Sequence, residues 1–305
     1  MEFLYFLQSI RIPVLDEIMQ IITRLGEETA FLVLALIMFW CVDKKKGYYI
    51  MSVGFVGTVA SQFLKLLCRI PRPWVLDENF TVVGNAKEAA TGYSFPSGHS
   101  QSSVGTLGGI AVTVRNRWIR VACIVLAVLV PFSRMYLGVH TPADVLVGVA
   151  IPLVLMVALY PVIFKCGEKG MWILIGSMLA IAAAYLAYVE LWPFPADIDP
   201  HNMESAVKNA YTLLGCLLGV CVVYAVDTKK LNFQTDAIWW AQILKAALGL
   251  GVVLLVKEGT KPILEWLFNG HIVSRAVRYC LVVIAAGVVW PLSFRWFAKL
   301  GKKEK

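Results

Sequence analysis

Apolar runs of about 20 residues recur from one end of this sequence to the other, and each is long enough to cross a bilayer core of about 30 Å as a helix. Inside lipid, a backbone must satisfy its own hydrogen bonds, which leaves the helix as the natural form for each run. The supply of charge agrees. Only 16% of the 305 residues are charged and 59% are hydrophobic, whereas a soluble domain carries roughly 25% charged residues. The mean hydropathy of +0.71 points the same way. The expected fold class is therefore all-α: a polytopic membrane helical bundle.

Nine spans are expected, near 27–42, 48–67, 99–114, 118–137, 142–164, 171–191, 208–226, 236–256 and 277–296. The basic connectors test that number. Lys44 to Lys46, Arg115, Arg117 and Arg120, Lys165 and Lys169, Lys229 and Lys230, and the tail Arg295, Lys299, Lys302, Lys303 and Lys305 all fall on one side of a nine-span chain. That is the cytoplasmic side by the positive-inside rule. An even count would scatter them over both faces. The opposite side carries the long 69–97 connector and the acidic 190–204 segment. The formal net charge of +8 is thus a topology signal, and no nucleic-acid partner is expected; the bilayer is.

Residues 1–26 show neither a basic leader region nor a small-residue cleavage site, so no removable signal peptide is expected. Their alternating apolar and polar positions, interrupted at Pro13, suggest an amphipathic interfacial segment. Gly105 and Gly109 form a GxxxG pair suited to close packing of the third span. Pro131, Pro152 and Pro161 lie inside spans. The seven scattered cysteines form no CxxC pair or Cys/His cluster, so neither a zinc site nor a disulfide framework is expected.

Three clusters carry chemistry. Lys65 closes the second span and is followed six residues later by Arg72-Pro73. Pro96-Ser97-Gly98-His99 opens the third span. Ser133-Arg134, His140 and Asp144 bridge the fourth and fifth. Nine spans place all three at one depth on the non-cytoplasmic side. Three cations converging in a membrane need an anion, and a phosphoryl group accepts bidentate arginine contacts well. Ser97 and Gly98 begin a helix, so their N–H groups and the positive dipole end also suit that anion. Thr141 and Pro142 read as helix cap and first position. Asp144, four residues past His140, is placed to orient one ring nitrogen and leave the other free to attack phosphorus. His99 is placed to protonate the leaving oxygen. With three fixed cations available, no metal and no cofactor are expected.

Lys65-x6-Arg72-Pro73, Pro96-Ser97-Gly98-His99 and Ser133-Arg134-x5-His140-x3-Asp144 together resemble the three-part signature of the type 2 phosphatidic acid phosphatase family. That family includes vanadium haloperoxidases, polyprenyl-diphosphate phosphatases and glucose-6-phosphatases. The resemblance covers about residues 25–165. It implies a metal-independent helical-bundle phosphatase in which Lys65, Arg72, Ser97, Gly98 and Arg134 bind phosphate. It likewise implies His140 as nucleophile, Asp144 as its partner and His99 as acid and base. The resulting expectation is a six-helix phosphatase-like core plus three C-terminal helices. In residue terms that is an interfacial segment at 1–26, a catalytic core at 27–168 and a membrane region at 169–305 to which the resemblance assigns no role.

The leading expectation is a lipid phosphatase in the cell membrane, acting from the non-cytoplasmic side on a lipid phosphate or diphosphate. The tail Lys302-Lys303-Glu304-Lys305 keeps the endoplasmic reticulum, with a lumenal site, as the alternative. A lipid phosphotransferase is the nearest rival function, and a transporter or scaffold on a phosphatase-like core is the rival from another class. Nothing in the sequence speaks to oligomeric state. Arg69 and Lys87 are expected to snorkel or sit solvated, and His201 and His271 to be surface residues. Lys257, Glu258, Lys261, Arg275 and Arg278 gather on the outer side of the last two spans, where headgroup binding competes with plain surface anchoring.

Overall fold

The computed structural model describes residues 1–300 except 89 and 197. Helices and connecting loops account for all of them, with no strand among the described residues. In chain order the helices are α1 (Glu2–Ser9), α2 (Pro13–Thr23), α3 (Glu28–Ile37), α4 (Lys44–Cys68), α5 (Pro73–Leu76), α6 (Gly98–Ser103), α7 (Gly109–Thr113), α8 (Arg117–Tyr136), α9 (Pro142–Lys165), α10 (Gly167–Leu191), α11 (Pro200–Val226), α12 (Trp239–Leu267), α13 (Val273–Ile284) and α14 (Phe294–Phe297).

The protein is a multi-pass membrane protein. Seven helices among the described residues are long and apolar enough to cross a bilayer, and an eighth is added if the pair Pro13–Gly26 and Glu28–Val42, bent by 56°, is one span. The expected third span, 99–114, also forms: α6, a π-helical turn at Val104–Gly108, and α7 run in succession. This stretch is shorter than those seven and is not among them; in the connector that precedes it, Ser94 is fully buried. The prolines expected inside spans lie within α8 (Pro131) and α9 (Pro152, Pro161). The segment expected at 190–204 includes Asp197, which lies outside the described residues.

By packing, the chain divides into two units that are not consecutive blocks. The first takes residues 1–34, 49–161 and 193–206; the second takes 35–48, 162–192 and the chain from Val207 onward. In the first unit the GxxxG glycines do what small residues do in membranes, letting helices meet closely. A Cβ on Gly105 would come 3.3 Å from Val53 of α4 and 3.5 Å from Pro152 of α9, and one on Gly109 would come 3.1 Å from Ile50.

The N-terminal segment is more than an interfacial float. Leu4 and Leu7 of α1 are buried with Phe80, and Met19 of α2 is buried with Val83, Tyr136, Leu137 and Val139. Arg11 donates to the Tyr136 and Thr81 carbonyls at 3.0 and 2.8 Å, and Tyr136 donates to Asp16 at 2.8 Å. Tyr5 donates to Asp77 at 2.7 Å. That bond holds the exposed Asp77 carboxyl below its usual range and pushes the Tyr5 phenol up. The first 26 residues therefore clamp the connector and the α8–α9 turn that carry the signature residues.

In the second unit, Trp40 donates to the Ala286 carbonyl at 2.9 Å. Lys44 meets Asp227 at 2.8 Å, and Asp227 also accepts from the Phe233 N–H at 3.1 Å. The face of α13 that meets α11 depends on glycine: a Cβ on Gly215 would fall 2.1 Å from the Ala276 carbonyl oxygen. The seven cysteines form no disulfide among the described residues.

Candidate active site

Three helix ends in the first unit supply the site. The last turn of α4 presents Lys65, after which Arg69 turns the chain at φ +48 and Arg72 follows in extended conformation ahead of α5. Ser97 caps α6, accepting from the Ser100 N–H and hydroxyl. Between α8 and α9 the chain reverses through Gly138 at φ +84, where a Cβ would meet the Arg11 guanidinium at 2.8 Å. A side chain there would be both strained and blocked. This reversal sets Arg134 and His140 on either side of one turn.

The structure brings the expected cations together and buries them. Lys65, Arg72 and Arg134 are 7%, 6% and 1% exposed. Lys65 donates to the Tyr93 carbonyl. Arg72 donates to the carbonyls of Thr91, Gly92 and Val139 at 2.7, 3.1 and 3.0 Å. Arg134 donates to Thr23 Oγ1 at 2.8 Å, and its Nε has no partner. Against three cations, the buried acidic complement of this unit among the described residues is Asp144 alone. A net positive cluster results, its hydrogen bonds taken mainly by neutral carbonyls.

Arg72 Nη1 lies 2.9 Å from His140 Nε2. Arginine is a donor only, so Nε2 must be the unprotonated nitrogen and the ring proton sits on Nδ1. Burial first, then the charges of Arg72, Arg134 and Lys65, holds the imidazole well below its usual range. His140 is therefore neutral at neutral pH, with its lone pair aimed into the cation cluster.

Nδ1 sits 3.4 Å from Asp144 Oδ2, close enough for an ion pair, yet it lacks hydrogen-bond geometry and counts as unpartnered. The reason is that Oδ2 is already engaged. It accepts from the Ser94 hydroxyl at 2.6 Å and from the Thr141 N–H at 2.7 Å. Thr141 Oγ1 in turn accepts from the Asp144 N–H at 3.3 Å. This reciprocal pair is a capping box, so Asp144 both starts α9 and faces His140.

His99 stands in electrostatic reach of Arg134, Arg72, Lys65 and His140. Gly26, just after α2, makes room for it: a Cβ there would fall 2.9 Å from the His99 Cβ. One of the N–H groups at the start of α6 is already engaged. The Ser97 N–H donates to the Asp144 backbone carbonyl at 2.9 Å, so it ties α6 to α9 and is not free for an anion. A Cβ on Gly98 would meet nothing within 4 Å, so the space beside its backbone is open. The tight glycine is Gly148, whose Cβ would lie 2.6 Å from the Ser97 carbonyl oxygen. Ser133 spends its hydroxyl on the Val130 carbonyl at 2.6 Å, a packing role. Arg69, Lys87, His201 and His271 are exposed, as expected.

Sequence reasoning passed over Ser94, Thr23, Gly26 and Gly148. None bears charge, and serine, threonine and glycine are ordinary in membrane helices. The one available signal was position: Ser94 stands two residues before Pro96, and Thr23 ends an amphipathic helix just ahead of Gly26. Among the described residues, no group of three or more His, Cys, Asp or Glu lies together in a way that would hold a metal ion.

The pairing of a buried cation cluster with a neutral histidine, on three helix ends in this order, coincides with a family match. The PAP2 superfamily matches residues 45–168, and the transmembrane extension of PAP2 superfamily phosphatases matches 211–303. The chain belongs to the PAP2 superfamily. Its curated relatives in that superfamily include the undecaprenyl-diphosphatase BcrC of Bacillus subtilis, 31% identical over 47% of this chain and 72% of the relative. An undecaprenyl-diphosphatase of Sulfolobus acidocaldarius is 29% identical over 45% of this chain and 66% of its own length. The phosphatidylglycerophosphatase B of Bacillus subtilis is 31% identical over 48% and 74%. No solved structure matches the chain.

Proposed function

We propose that this PAP2 superfamily member is a lipid phosphatase that removes phosphate from a lipid phosphate or diphosphate through a phosphohistidine, without a metal. The observation that carries the reading is the Nε2 lone pair of His140 directed at Arg72 inside a cluster of three buried cations. That is where a phosphoryl group would sit, exchanging the cation-to-carbonyl bonds for stronger charge-assisted ones. Polyprenyl diphosphates head the candidate substrates, because relatives named as undecaprenyl-diphosphatases match over much of their length.

In the first step Nε2 forms a bond to phosphorus and the phosphorus–oxygen bond to the lipid side breaks. His99 delivers a proton to that leaving oxygen, while Asp144 balances the charge that develops on the His140 ring. In the second step water attacks phosphorus, His99 takes its proton, and the nitrogen–phosphorus bond breaks to release inorganic phosphate. Arg72, Arg134 and Lys65 hold the non-bridging oxygens in both steps.

The positions of the basic connectors support a site on the non-cytoplasmic face. Cys68 at the end of α4 and Cys166 at the end of α9, both exposed, test that assignment. In single-cysteine versions, a membrane-impermeant maleimide applied to intact cells should label Cys68 and spare Cys166; the reverse pattern inverts the topology.

The function is tested with purified full-length protein in EDTA. Phosphate release is measured from a polyprenyl diphosphate, phosphatidate, phosphatidylglycerophosphate and a sphingoid phosphate, with His140→Ala as control. Release by the wild type and none by the variant is the expected result. Absence of release from every lipid by folded wild type would overturn the hydrolase reading.

A further inference from the structure

Among its described residues, the second unit contains one buried charge that is left unmatched. Lys44 is matched by Asp227. The fully buried Lys245 donates to the Thr235 carbonyl at 2.9 Å and lies 4.5 Å from the Phe294 ring centroid. Arg278 of α13 is 8% exposed, yet it makes no side-chain hydrogen bond and has no acidic group at ion-pair distance among the described residues. Its Nε is sealed from solvent with no partner. The far side of the guanidinium keeps some solvent contact, so the fork faces outward from a covered base.

Its surroundings repeat the theme. Arg275, one turn earlier, uses Nε on Thr212 of α11 at 2.7 Å. The guanidiniums of Arg275 and Arg278 lie 5.5 and 5.1 Å from the ring of Tyr279. Ser274, on the same face as Arg278 and also buried, leaves its hydroxyl without a partner among the described residues. Lys261 stands about as far before the end of α12 as Arg278 stands after the start of α13. Both are therefore within roughly 10 Å of the turn that joins the two helices. Lys257 is already paired with Glu258 at 3.4 Å.

An unmatched guanidinium near the end of a membrane helix is costly, and snorkelling would carry its head into water. Arg278 is not carried clear into water: 8% of the residue is exposed, and its Nε is sealed without a partner. A phosphate group meets both needs, because two of its oxygens match the guanidinium fork and Ser274 can donate a third bond. We propose that α11–α13 hold a second anion site in which Arg278 and Arg275 grip a phosphate group, either of an anionic lipid headgroup or as free inorganic phosphate. This site lies outside the signature residues and does not depend on the reaction proposed above.

Native mass spectrometry of the full chain tests the lipid source, counting copies of phosphatidylglycerol retained against phosphatidylcholine of the same chains. A second arm measures the rise in Tm caused by inorganic phosphate. The wild type should retain at least one more phosphatidylglycerol than phosphatidylcholine, His140→Ala should keep that preference, and Arg278→Gln should lose it. Arg278→Lys, which keeps the charge and removes the fork, should bind several-fold more weakly. A phosphate-induced rise in Tm that exceeds the rise in Arg278→Gln, without lipid preference, assigns the site to the free ion. If Arg278→Gln does not fold, the wild-type lipid comparison still decides. Equal retention of both lipids by wild type, with no Arg278-dependent phosphate effect, overturns the proposal.

Discussion

The two packing units treat buried charge in opposite ways. In the first, Lys65, Arg72 and Arg134 face a single buried carboxylate among the described residues, and their hydrogen bonds run mainly to neutral carbonyls and one hydroxyl. In the second, Lys44 meets Asp227 one for one and Lys245 is held by a carbonyl and an aromatic face. Matched charge ties helices together. Unmatched charge of one sign is a place kept for a ligand, since its self-repulsion is relieved only when an anion arrives. Arg278 is where the second unit departs from its own rule, and this is why it draws attention as a site.

The largest expected effect separates the two kinds of charge. Arg134→Gln should lower kcat/KM by about 10²-fold or more while leaving Tm unchanged or raised, because it removes one of three mutually repelling cations. A large fall in Tm would place Arg134 among the structural charges instead. Asp227→Asn should do the opposite. It strands Lys44 and costs about 3 kcal/mol of stability, measured by denaturant or thermal unfolding, with activity per folded molecule retained.

Smaller effects test how His140 is tuned. Because burial and three cations hold its imidazole below the usual range, its neutral form persists at neutral pH. It is lost only as pH falls below the ordinary imidazole value of about 6.5. The acid limb of kcat/KM, which reports the free enzyme, should therefore lie below about pH 6.5; a limb above it would contradict the buried, cation-flanked site. Ser94→Ala frees Asp144 Oδ2 from its hydroxyl donor, leaving more of the carboxylate's charge for His140. That should move the same limb upward and cost roughly tenfold in kcat/KM, a shift that a purely structural serine would not produce. Thr23→Val should raise KM a few-fold by releasing Arg134, on the order of 1 kcal/mol for one hydrogen bond, and Thr23→Ser should restore it.

The apolar runs and the charged signature residues were legible in the chain. A lysine or arginine beside an apolar run is costly wherever it ends up, so Lys65, Arg72 and Arg134 stand out in the sequence, and the four-residue spacing of His140 and Asp144 marks that pair. Other features could be settled only by the tertiary structure. Ser97 N–H is spent on the Asp144 carbonyl, Gly148 lets α9 approach Ser97 closely, and Asp144 divides its carboxylate between Ser94, the Thr141 cap and His140. Residues 1–26 brace the site from α1 and α2, and Thr23 reaches Arg134 across 111 positions of sequence. Burying a charge costs free energy that belongs to one residue, and so it can be read from one residue. A hydrogen bond belongs to two, and its partner is known only when the chain has brought both to the same place.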